Sequence, residues 1–325
     1  MMKKRHGIAV LGSLLVDKIY EIASYPAAGE LTKIRSASLA VGGCVPNVAI
    51  DLKRLSPTLP VYAVGRIGRD AEGDVLKRTL SGEGVDTEGL TLSDTETSFT
   101  AVMSITGGQR TFFTYPGASS EFGFDDARLD KTDAKMIHLG YFLLLDKIDA
   151  GEGTLILKRA TELGIKTSID LVSENSDRYS LVLPALPYVD NLIINEVEAG
   201  AITGIEPKNE NLIRIAERLL ELGVRERVII HSPAIGIVAT RTEITSLPSY
   251  ELPEGFIKGT TGAGDAFCAG ALLAIHEGRS DSRILEAASR AAVMALSQPD
   301  ATSGLAAERE AIELCKTFER KNICL

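Results

Sequence analysis

The chain has 325 residues, of which 45% are hydrophobic and 24% are charged, and its formal net charge at pH 7 is −9. This length allows one large α/β domain or two medium ones, and the composition is that of an ordinary globular protein. The negative net charge argues against a nucleic-acid-binding protein, because such proteins contact phosphates through patches of basic side chains.

The N-terminal segment does not have the pattern of a signal peptide, and the cysteines do not have the pattern of a metal site. The apolar run after the basic residues Lys3 to Arg5 is too short for a signal peptide. No stretch of about 18 apolar residues is long enough to span a membrane. The four cysteines have neither zinc-ligand spacing nor the pattern of a disulfide framework. We therefore expect a cytoplasmic protein.

The first part of the chain alternates short apolar runs with glycine turns. Residues 6–12 read as a buried strand, and β-like stretches follow at 18–23 and 34–41. Asp17 lies between the first two of these segments. It is either a loop acid or a carboxylate at the carboxyl end of a strand, where open α/β sheets bind their ligands.

Two glycines then open a helix predicted over residues 48–55. Gly42 and Gly43 would let a ligand lie against the backbone, and Asn47 offers both hydrogen-bond donors and acceptors. The alternative is a plain glycine turn at the start of the helix.

A change of pattern follows a strand at 61–65 and a helix that ends near residue 81. Residues 98–106 and 109–115 have strand character and are separated by a two-glycine turn at 107–108, which is typical of a β-hairpin. Together with the two earlier β-like stretches, the hairpin predicts a small sheet inserted into the α/β order. Such a sheet is too small to be stable alone, so it must pack on a ligand, the main sheet or a partner chain.

From Lys135 onward, strands and helices alternate regularly, which predicts parallel βαβ units with helices on both faces of the sheet. The predicted strands are 136–139, 165–170, 191–194 and 227–230, with helices at 153–164 and near 179–186. Two antiparallel stretches, 236–240 and 243–247, would form an edge. Helices are predicted at 266–275 and 284–296, and from residue 308 onward.

Two short motifs lie at predicted helix starts. Asn195 and Glu198 follow a strand and have capping-box spacing, which is compatible with a phosphate site at the same helix start. Residues 259–265 form a small-residue loop that leads into a helix with Asp265 in its first turn. Asp265 either complements the helix dipole or acts as a base beside an anion site made of uncovered backbone amides.

Several well-known motifs are absent from the sequence. It has no Gly-Lys pair for a Walker A loop, no complete dinucleotide fingerprint and no Gly-x-Ser-x-Gly elbow. The four histidines lack zinc spacing, and we expect them to be structural.

The order of these features resembles the ribokinase-like (phosphofructokinase B type) family of carbohydrate kinases over nearly the whole chain. The most specific part is the stretch from Thr261 to Asp265 followed by Ala266, Phe267 and Gly270. The other matching positions are Gly12, Ser13, Asp17, Gly42, Gly43, Asn47, Gly65, Gly68, Asp70, Asn195 and Glu198.

The resemblance implies one kinase domain over residues 1–325, with a three-layer α/β/α fold and a mostly parallel central sheet. The inserted lid sheet would comprise residues 18–24, 33–41 and 97–116. In many members of the family, this lid also joins two subunits, so a homodimer is expected. The implied partners are a small sugar and ATP, with neither nucleic acid nor membrane.

The resemblance also implies a role for each matching residue. Asp265 would be the general base, and the amides of Gly262, Ala263 and Gly264 would form the anion hole for the transferred phosphoryl group. Sugar hydroxyls would be bound by Asp17, Gly42, Gly43 and Asn47. The nucleotide side would comprise Asn195, Glu198, Ser232, Gly236 and Thr261, with Glu198 holding Mg²⁺ through water.

The sequence departs from the family pattern at three places. The common Asp-x-Asn-x-Arg motif appears only with a different spacing, as Asp170, Asn175 and Arg178. Gly259 stands where potassium-activated members have an acid, so a requirement for a monovalent cation stays open. Residues 231–236 keep only the final glycine of the usual Thr-x-Gly-x-x-Gly motif, which predicts remodelled nucleotide contacts.

We therefore expect an ATP-dependent kinase of a neutral sugar that phosphorylates a primary hydroxyl. The aromatic residues Phe99, Phe112, Phe113 and Tyr115 on the hairpin make a nucleoside kinase the alternative. A sugar- or nucleotide-binding regulator is the other class of function that the departures allow.

Overall fold

A computed structural model describes residues 5–105, 110–173 and 177–323. Its strands are β1 (Ile8–Leu11), β2 (Leu15–Ile22), β3 (Ile34–Gly42), β4 (Val61–Gly68), β5 (Asp86–Ser93), β6 (Ser98–Ile105), β7 (Arg110–Tyr115), β8 (Met136–Phe142), β9 (Lys166–Leu171), β10 (Asn191–Asn195), β11 (Arg227–His231), β12 (Ile235–Ala239) and β13 (Ile244–Pro248). Its α-helices are α1 (Cys44–Leu55), α2 (Ala71–Gly82), α3 (Phe124–Ala127), α4 (Gly153–Glu162), α5 (Glu196–Thr203), α6 (Leu212–Glu221), α7 (Ala263–His276), α8 (Asp281–Leu296) and α9 (Glu308–Cys315).

The larger sheet has the strand order β13-β12-β11-β10-β9-β8-β1-β4-β5. All neighbours from β11 to β5 are parallel, and β12 and β13 continue the sheet as antiparallel edge strands. The parallel sheet and its antiparallel edge were both predicted. The edge strand β5 was not, because its sequence from Asp86 to Ser93 is mostly polar and only partly buried.

Alternate residues of the parallel strands pack against helices on opposite faces of the sheet. Val10 and Ile229 belong to the core that contains α1, α7 and α8. Leu11 and Ile230, one position further along each strand, belong to the core that contains α4 and α6. This follows from the two-residue period of side chains along a strand. The predicted three-layer α/β/α architecture is therefore confirmed.

Gly270 allows α7 and α8 to pack closely. A Cβ atom on Gly270 would lie 2.7 Å from the backbone oxygen of Ala287 and 2.8 Å from the Cα atom of Ala288. Any side chain at Gly270 would push the two helices apart.

The smaller sheet has the order β3-β2-β6-β7, in which β2 and β6 are parallel and the other pairs are antiparallel. It contains the β-like stretches expected from the sequence. However, β2 begins at Leu15 rather than Lys18, so Asp17 lies within a strand of the smaller sheet and not in a loop. The predicted turn at 107–108 lies outside the described residues.

Two local predictions were also inaccurate. Residues 178–182 and 186–188 form short 3₁₀ turns instead of the helix expected near 179–186. The helix starts were placed too late, because α1 begins at Cys44 and α7 at Ala263. Among the described helices, none combines the length and the apolar character needed to cross a membrane.

Asp51 in α1 is a buried acid in the core of the larger sheet. The residue is 0% exposed, and neither carboxylate oxygen has a hydrogen-bond partner among the described residues. Burial raises the pKa of Asp51 well above its ordinary value, and the nearby Asp265 raises it further. The neutral acid is therefore the favoured form in the folded protein.

We expect Asp51→Asn to stabilise the protein at neutral pH. In the unfolded chain Asp51 ionises with its ordinary pKa, so the folded state binds more protons and its stability falls as the pH rises above about 4. Asparagine does not ionise, so the stability of the variant does not fall with rising pH for this reason. Its free energy of unfolding at pH 7 should exceed that of wild type by on the order of 1 kcal/mol. Denaturant unfolding at several pH values would measure the difference, which should vanish near pH 3–4. A difference independent of pH would contradict this explanation.

Candidate active site

The carboxyl ends of the parallel strands and the amino end of α7 surround a cavity of about 210 Å³. Parallel strands place their carboxyl ends at the same edge of a sheet, which is where open α/β sheets bind ligands. The polar and glycine residues that line this cavity are Tyr141, Asp170, Ser173, Asn195, Glu198, His231, Gly262, Gly264 and Asp265.

Asp265 lines this cavity from the first turn of α7 and is only 6% exposed. Its Oδ2 atom accepts hydrogen bonds from Asn47 Nδ2 at 2.9 Å and from the Tyr141 hydroxyl at 3.0 Å. Burial raises the pKa of Asp265 to about 7, and the charge of Asp170 adds to this effect, while the two hydrogen bonds oppose it. The carboxyl group can therefore both accept and release a proton near neutral pH.

Tyr141 was not found from the sequence, because it belongs to none of the motifs. Its backbone has φ of +56°, an uncommon value for a residue other than glycine. The backbone N–H of Tyr141 donates to Asp170 Oδ1 at 2.6 Å, and this contact holds the unusual conformation. The hydroxyl is thereby directed at Asp265, so Asp170 positions Tyr141 as well as raising the pKa of Asp265.

The start of α7 offers uncovered backbone donors. Gly262 has φ of +77°, and a Cβ atom there would lie 2.5 Å from the backbone of Ala301, so this position requires glycine. The N–H groups of Gly264 and Asp265 make no hydrogen bond to any described residue. The N–H of Ala263, by contrast, donates to Thr260 O at 3.3 Å. The helix start thus presents amides that can bind an anion.

Asn195 and Glu198 form the capping box that their spacing predicts. The Glu198 N–H donates to Asn195 Oδ1 at 2.9 Å, and the Asn195 N–H donates to Glu198 Oε2 at 3.2 Å. Ser173, which the sequence did not single out, donates to Glu198 Oε1 at 2.7 Å and accepts from Asn195 Nδ2 at 2.9 Å. Burial raises the pKa of Glu198 to about 7. All three residues of this network line the same cavity as the start of α7.

The predicted sugar-binding residues lie around the start of α1. A Cβ atom on Gly42 would lie 2.6 Å from Asp17 Oδ2, so Gly42 leaves room for this carboxylate, whose pKa is raised by burial to about 6. Gly43 has φ of +90° and precedes the first helical residue. Asn47 lies one turn into α1, and its Oδ1 atom is buried without a partner among the described residues. Of these residues, Asn47 is the one that hydrogen-bonds to Asp265.

Ser232, Gly236 and Thr261 are not among the residues that line the cavity. Ser232 Oγ accepts from the N–H groups of Ala234 and Ile235 at 3.2 and 3.0 Å, which closes the turn between β11 and β12. Gly236 lies in β12 and faces the core side chains Leu285 and Phe267. Thr261 Oγ1 accepts a hydrogen bond from Arg110 Nη1 of the smaller sheet at 3.0 Å.

Gly259 packs against the loop that follows α8. A Cβ atom there would lie 3.0 Å from the Cα and O atoms of Pro299. The surroundings of Gly259 therefore leave little room for the acid that the family pattern has at this position.

The chain matches a family model described as pfkB family carbohydrate kinase over residues 5–308. It is 24% identical to a ribokinase from Arabidopsis thaliana over 313 residues, which are 95% of this chain and 81% of the relative. It is 26% identical to an adenosine kinase from Schizophyllum commune, with 83% of each chain covered.

The fold is similar to the solved structure of Arabidopsis thaliana ribokinase complexed with ribose and ATP. The TM-score is 0.81 at 23% sequence identity, and the match covers 96% of this chain and 99% of the other. At this level of identity, the match supports the shared fold.

Proposed function

Since the chain belongs to the pfkB family of carbohydrate kinases, we propose that it transfers the γ-phosphoryl group of ATP to a primary hydroxyl of a neutral sugar. The family and its ribokinase, fructokinase and adenosine kinase relatives make the chain an ATP-dependent phosphotransferase that acts on an alcohol group of a sugar or a nucleoside.

The observation that carries the proposal is the pairing of Asp265 with the uncovered amides at the start of α7. Phosphoryl transfer requires alignment of the reacting atoms and stabilisation of the charge on the transferred group. The Asp265 carboxylate would take the proton of the attacking hydroxyl as the new P–O bond forms. The amides of Gly262, Ala263 and Gly264 would form the anion hole, with Gly264 best supported because its N–H has no partner among the described residues.

The sugar would bind between Asp265 and the start of α1. The carboxylate of Asp17 and the amide of Asn47 suit sugar hydroxyls, which both donate and accept hydrogen bonds. Gly42 and Gly43 would let the sugar ring approach the backbone. An acid at Asp17 favours a neutral acceptor over a phosphorylated one, because two negative charges would repel each other.

The nucleotide would occupy the part of the cavity that is lined by Asn195 and Glu198. Both oxygens of Glu198 already accept hydrogen bonds, so this carboxylate fits a role of ordering water around Mg²⁺ better than direct ligation. When bound, Mg²⁺ would neutralise charge on the ATP phosphates. Ser232, Gly236 and Thr261 would also contact the nucleotide. Thr261 is the best placed of the three, because it directly precedes Gly262 in the chain.

The smaller sheet would act as a lid over the sugar, as the contact between Arg110 and Thr261 suggests. A lid would exclude water from the reaction and limit ATP hydrolysis. Phe112 and Phe113 on β7 are both 57% exposed, and most of β3 is also exposed. We therefore propose that two chains pair through this sheet as a homodimer. Because ATP is the co-substrate, we keep the cytoplasm as the expected location.

A nucleoside kinase is the second candidate. Phe112 and Phe113 are exposed and lie on opposite faces of β7, so one of the two rings would suit a base, which stacks on aromatic side chains. A coupled assay of ATP consumption with ribose, fructose, 2-keto-3-deoxygluconate, inositol and nucleosides separates the two candidates. The proposal predicts turnover with a neutral sugar. Turnover with nucleosides alone would favour the second candidate.

Tyr141→Phe should change the pH dependence of this activity. A general base must be ionised, so kcat/KM of the wild-type enzyme should fall as the pH drops through about 7. The phenol of Tyr141 stabilises the ionised carboxylate, so its removal should raise the pKa of Asp265 and move the acidic limb to higher pH. Profiles of kcat/KM against pH for both enzymes would test this. An unchanged acidic limb would contradict the assigned role of Tyr141.

A further inference from the structure

Three buried side chains from separate elements converge beside the cavity. They are Cys44 in α1, His138 in β8 and Asp170 in β9. A sulfur, a ring nitrogen and a carboxylate oxygen from these residues all lie within 4.8 Å of one another. The proposed phosphoryl transfer uses neither Cys44 nor His138, so their convergence needs a separate explanation.

The distances between these atoms suit a tetrahedral metal ion. His138 Nε2 and Asp170 Oδ2 are 3.3 Å apart. Around a tetrahedral Zn²⁺ with bonds of about 2.0–2.3 Å, neighbouring ligand atoms lie about 3.3–3.7 Å apart. The nitrogen and the oxygen already have this separation. The sulfur of Cys44 lies within 4.8 Å of both atoms, so an approach of about 1 Å or less would complete the set.

The outer contacts of these ligands also suit a metal site. His138 Nδ1 lies 3.2 Å from Ser168 Oγ, which can hold the tautomer whose Nε2 lone pair faces Asp170. Asp170 Oδ1 accepts the N–H of Tyr141, so Oδ2 is the oxygen left for an ion. Gly140 makes room for the sulfur, because a Cβ atom there would lie 1.7 Å from Cys44 Sγ.

We propose that Cys44, His138 and Asp170 bind one soft divalent cation such as Zn²⁺, at a site distinct from that of the nucleotide-bound Mg²⁺. A thiolate and a carboxylate cancel the two positive charges, so the buried site is neutral when it is occupied. On binding, the thiol proton of Cys44 passes to solvent, and the imidazole keeps its single proton on Nδ1.

The ligand types and the access route support this choice of ion. Sulfur and imidazole ligands favour zinc-like ions, whereas Mg²⁺ prefers oxygen ligands. Asp170 and Cys268 both line the cavity, through which the ion would enter. Cys268 Sγ lies 3.5 Å from His138 Nε2 and thus borders the site. Water from the cavity would fill the fourth position.

Titration of the full-length, metal-free protein with Co²⁺ in the presence of excess Mg²⁺ would test the proposal. The expected result is binding of one Co²⁺ per chain, with thiolate-to-cobalt charge-transfer absorption and the intense visible bands of tetrahedral cobalt. Cys44→Ala should abolish the charge-transfer band and weaken binding by about 100-fold or more. Cys315→Ala is the matched control, because Cys315 is buried in a separate cluster with Tyr250 and should leave the spectrum unchanged.

Cys44→Ser is a second variant, which nearly preserves the volume of the side chain and supplies no sulfur. Co²⁺ should raise the Tm of wild type and of Cys315→Ala, and should leave the Tm of both Cys44 variants nearly unchanged. Absence of the charge-transfer band in wild type would overturn the proposal. The same band in the Cys44 variants would also overturn it, since the sulfur ligand would then be another cysteine.

Discussion

Asp265→Asn should lower kcat by about 10²–10⁴-fold, because the amide cannot accept the proton of the attacking hydroxyl. The substitution preserves the size and shape of the side chain, so the hydrogen bonds from Asn47 and Tyr141 can persist in altered form. The dissociation constant of the sugar should therefore change little. Steady-state kinetics and calorimetric titration of the sugar would measure the two quantities separately.

Asp51→Asn is a matched control for this variant. It also replaces a buried acid by its amide, but Asp51 lies one turn beyond Asn47 in α1 and has no hydrogen bond to Asp265. Its kcat should stay within a few-fold of wild type. If Asp265→Asn and Asp51→Asn showed the same kcat, Asp265 would not be the base.

Gly262→Ala should be the second most damaging substitution, with a loss in kcat of about 10²–10³-fold, the range seen when an anion-hole donor is removed. The new Cβ atom would lie 2.5 Å from Cα and O of Ala301, which are backbone atoms that cannot turn away. The loop must therefore shift, and the amides at the start of α7 shift with it. Measurements of kcat and of ATP affinity would detect the change.

Gly255→Ala separates the effect of this clash from that of backbone conformation. Gly255 has φ of +76°, close to the +77° of Gly262, but a Cβ atom there would meet no atom within 4 Å. Both variants place alanine in the left-handed region at a cost of about 1–2 kcal/mol. Only Gly262→Ala should lose activity, and an equal loss in Gly255→Ala would indicate general destabilisation.

Much of the fold could be predicted from the sequence because the buried strands are short apolar runs between glycine turns. The strand β5 was missed because an edge strand with one neighbour can be mostly polar. The helix starts were placed too late since Cys44 and Ala263 follow glycines without a capping side chain. The smaller sheet was found from its hairpin, although its first strand starts three residues earlier than expected.

The candidate site was only partly predictable. Asp265 and the pair of Asn195 and Glu198 lie in local motifs with recognisable spacing. Tyr141 and Asp170 lie near the ends of neighbouring strands. Tyr141 belongs to no motif, and Asp170 was recognised only as the start of a family motif with altered spacing. Their contact depends on the pairing of β8 with β9, which the spacing along the chain does not reveal.

The convergence of Cys44 with His138 illustrates the same limit. The histidines and cysteines lack zinc-ligand spacing in the sequence, and we expected both residue types to carry no metal site. Cys44 and His138 are far apart in the sequence, and the packing of α1 against the sheet brings their side chains together. A local motif search cannot detect such a cluster.

We propose that this site moves a phosphoryl group from ATP to a primary hydroxyl of a neutral sugar with Asp265 as the base. The most direct test is ³¹P NMR of the product that the wild-type enzyme forms from ATP and the sugar it accepts. We predict a phosphate monoester whose phosphorus couples to the two protons of a CH₂ group, and its loss in Asp265→Asn. A monoester on a ring hydroxyl, or release of inorganic phosphate alone, would contradict the claim.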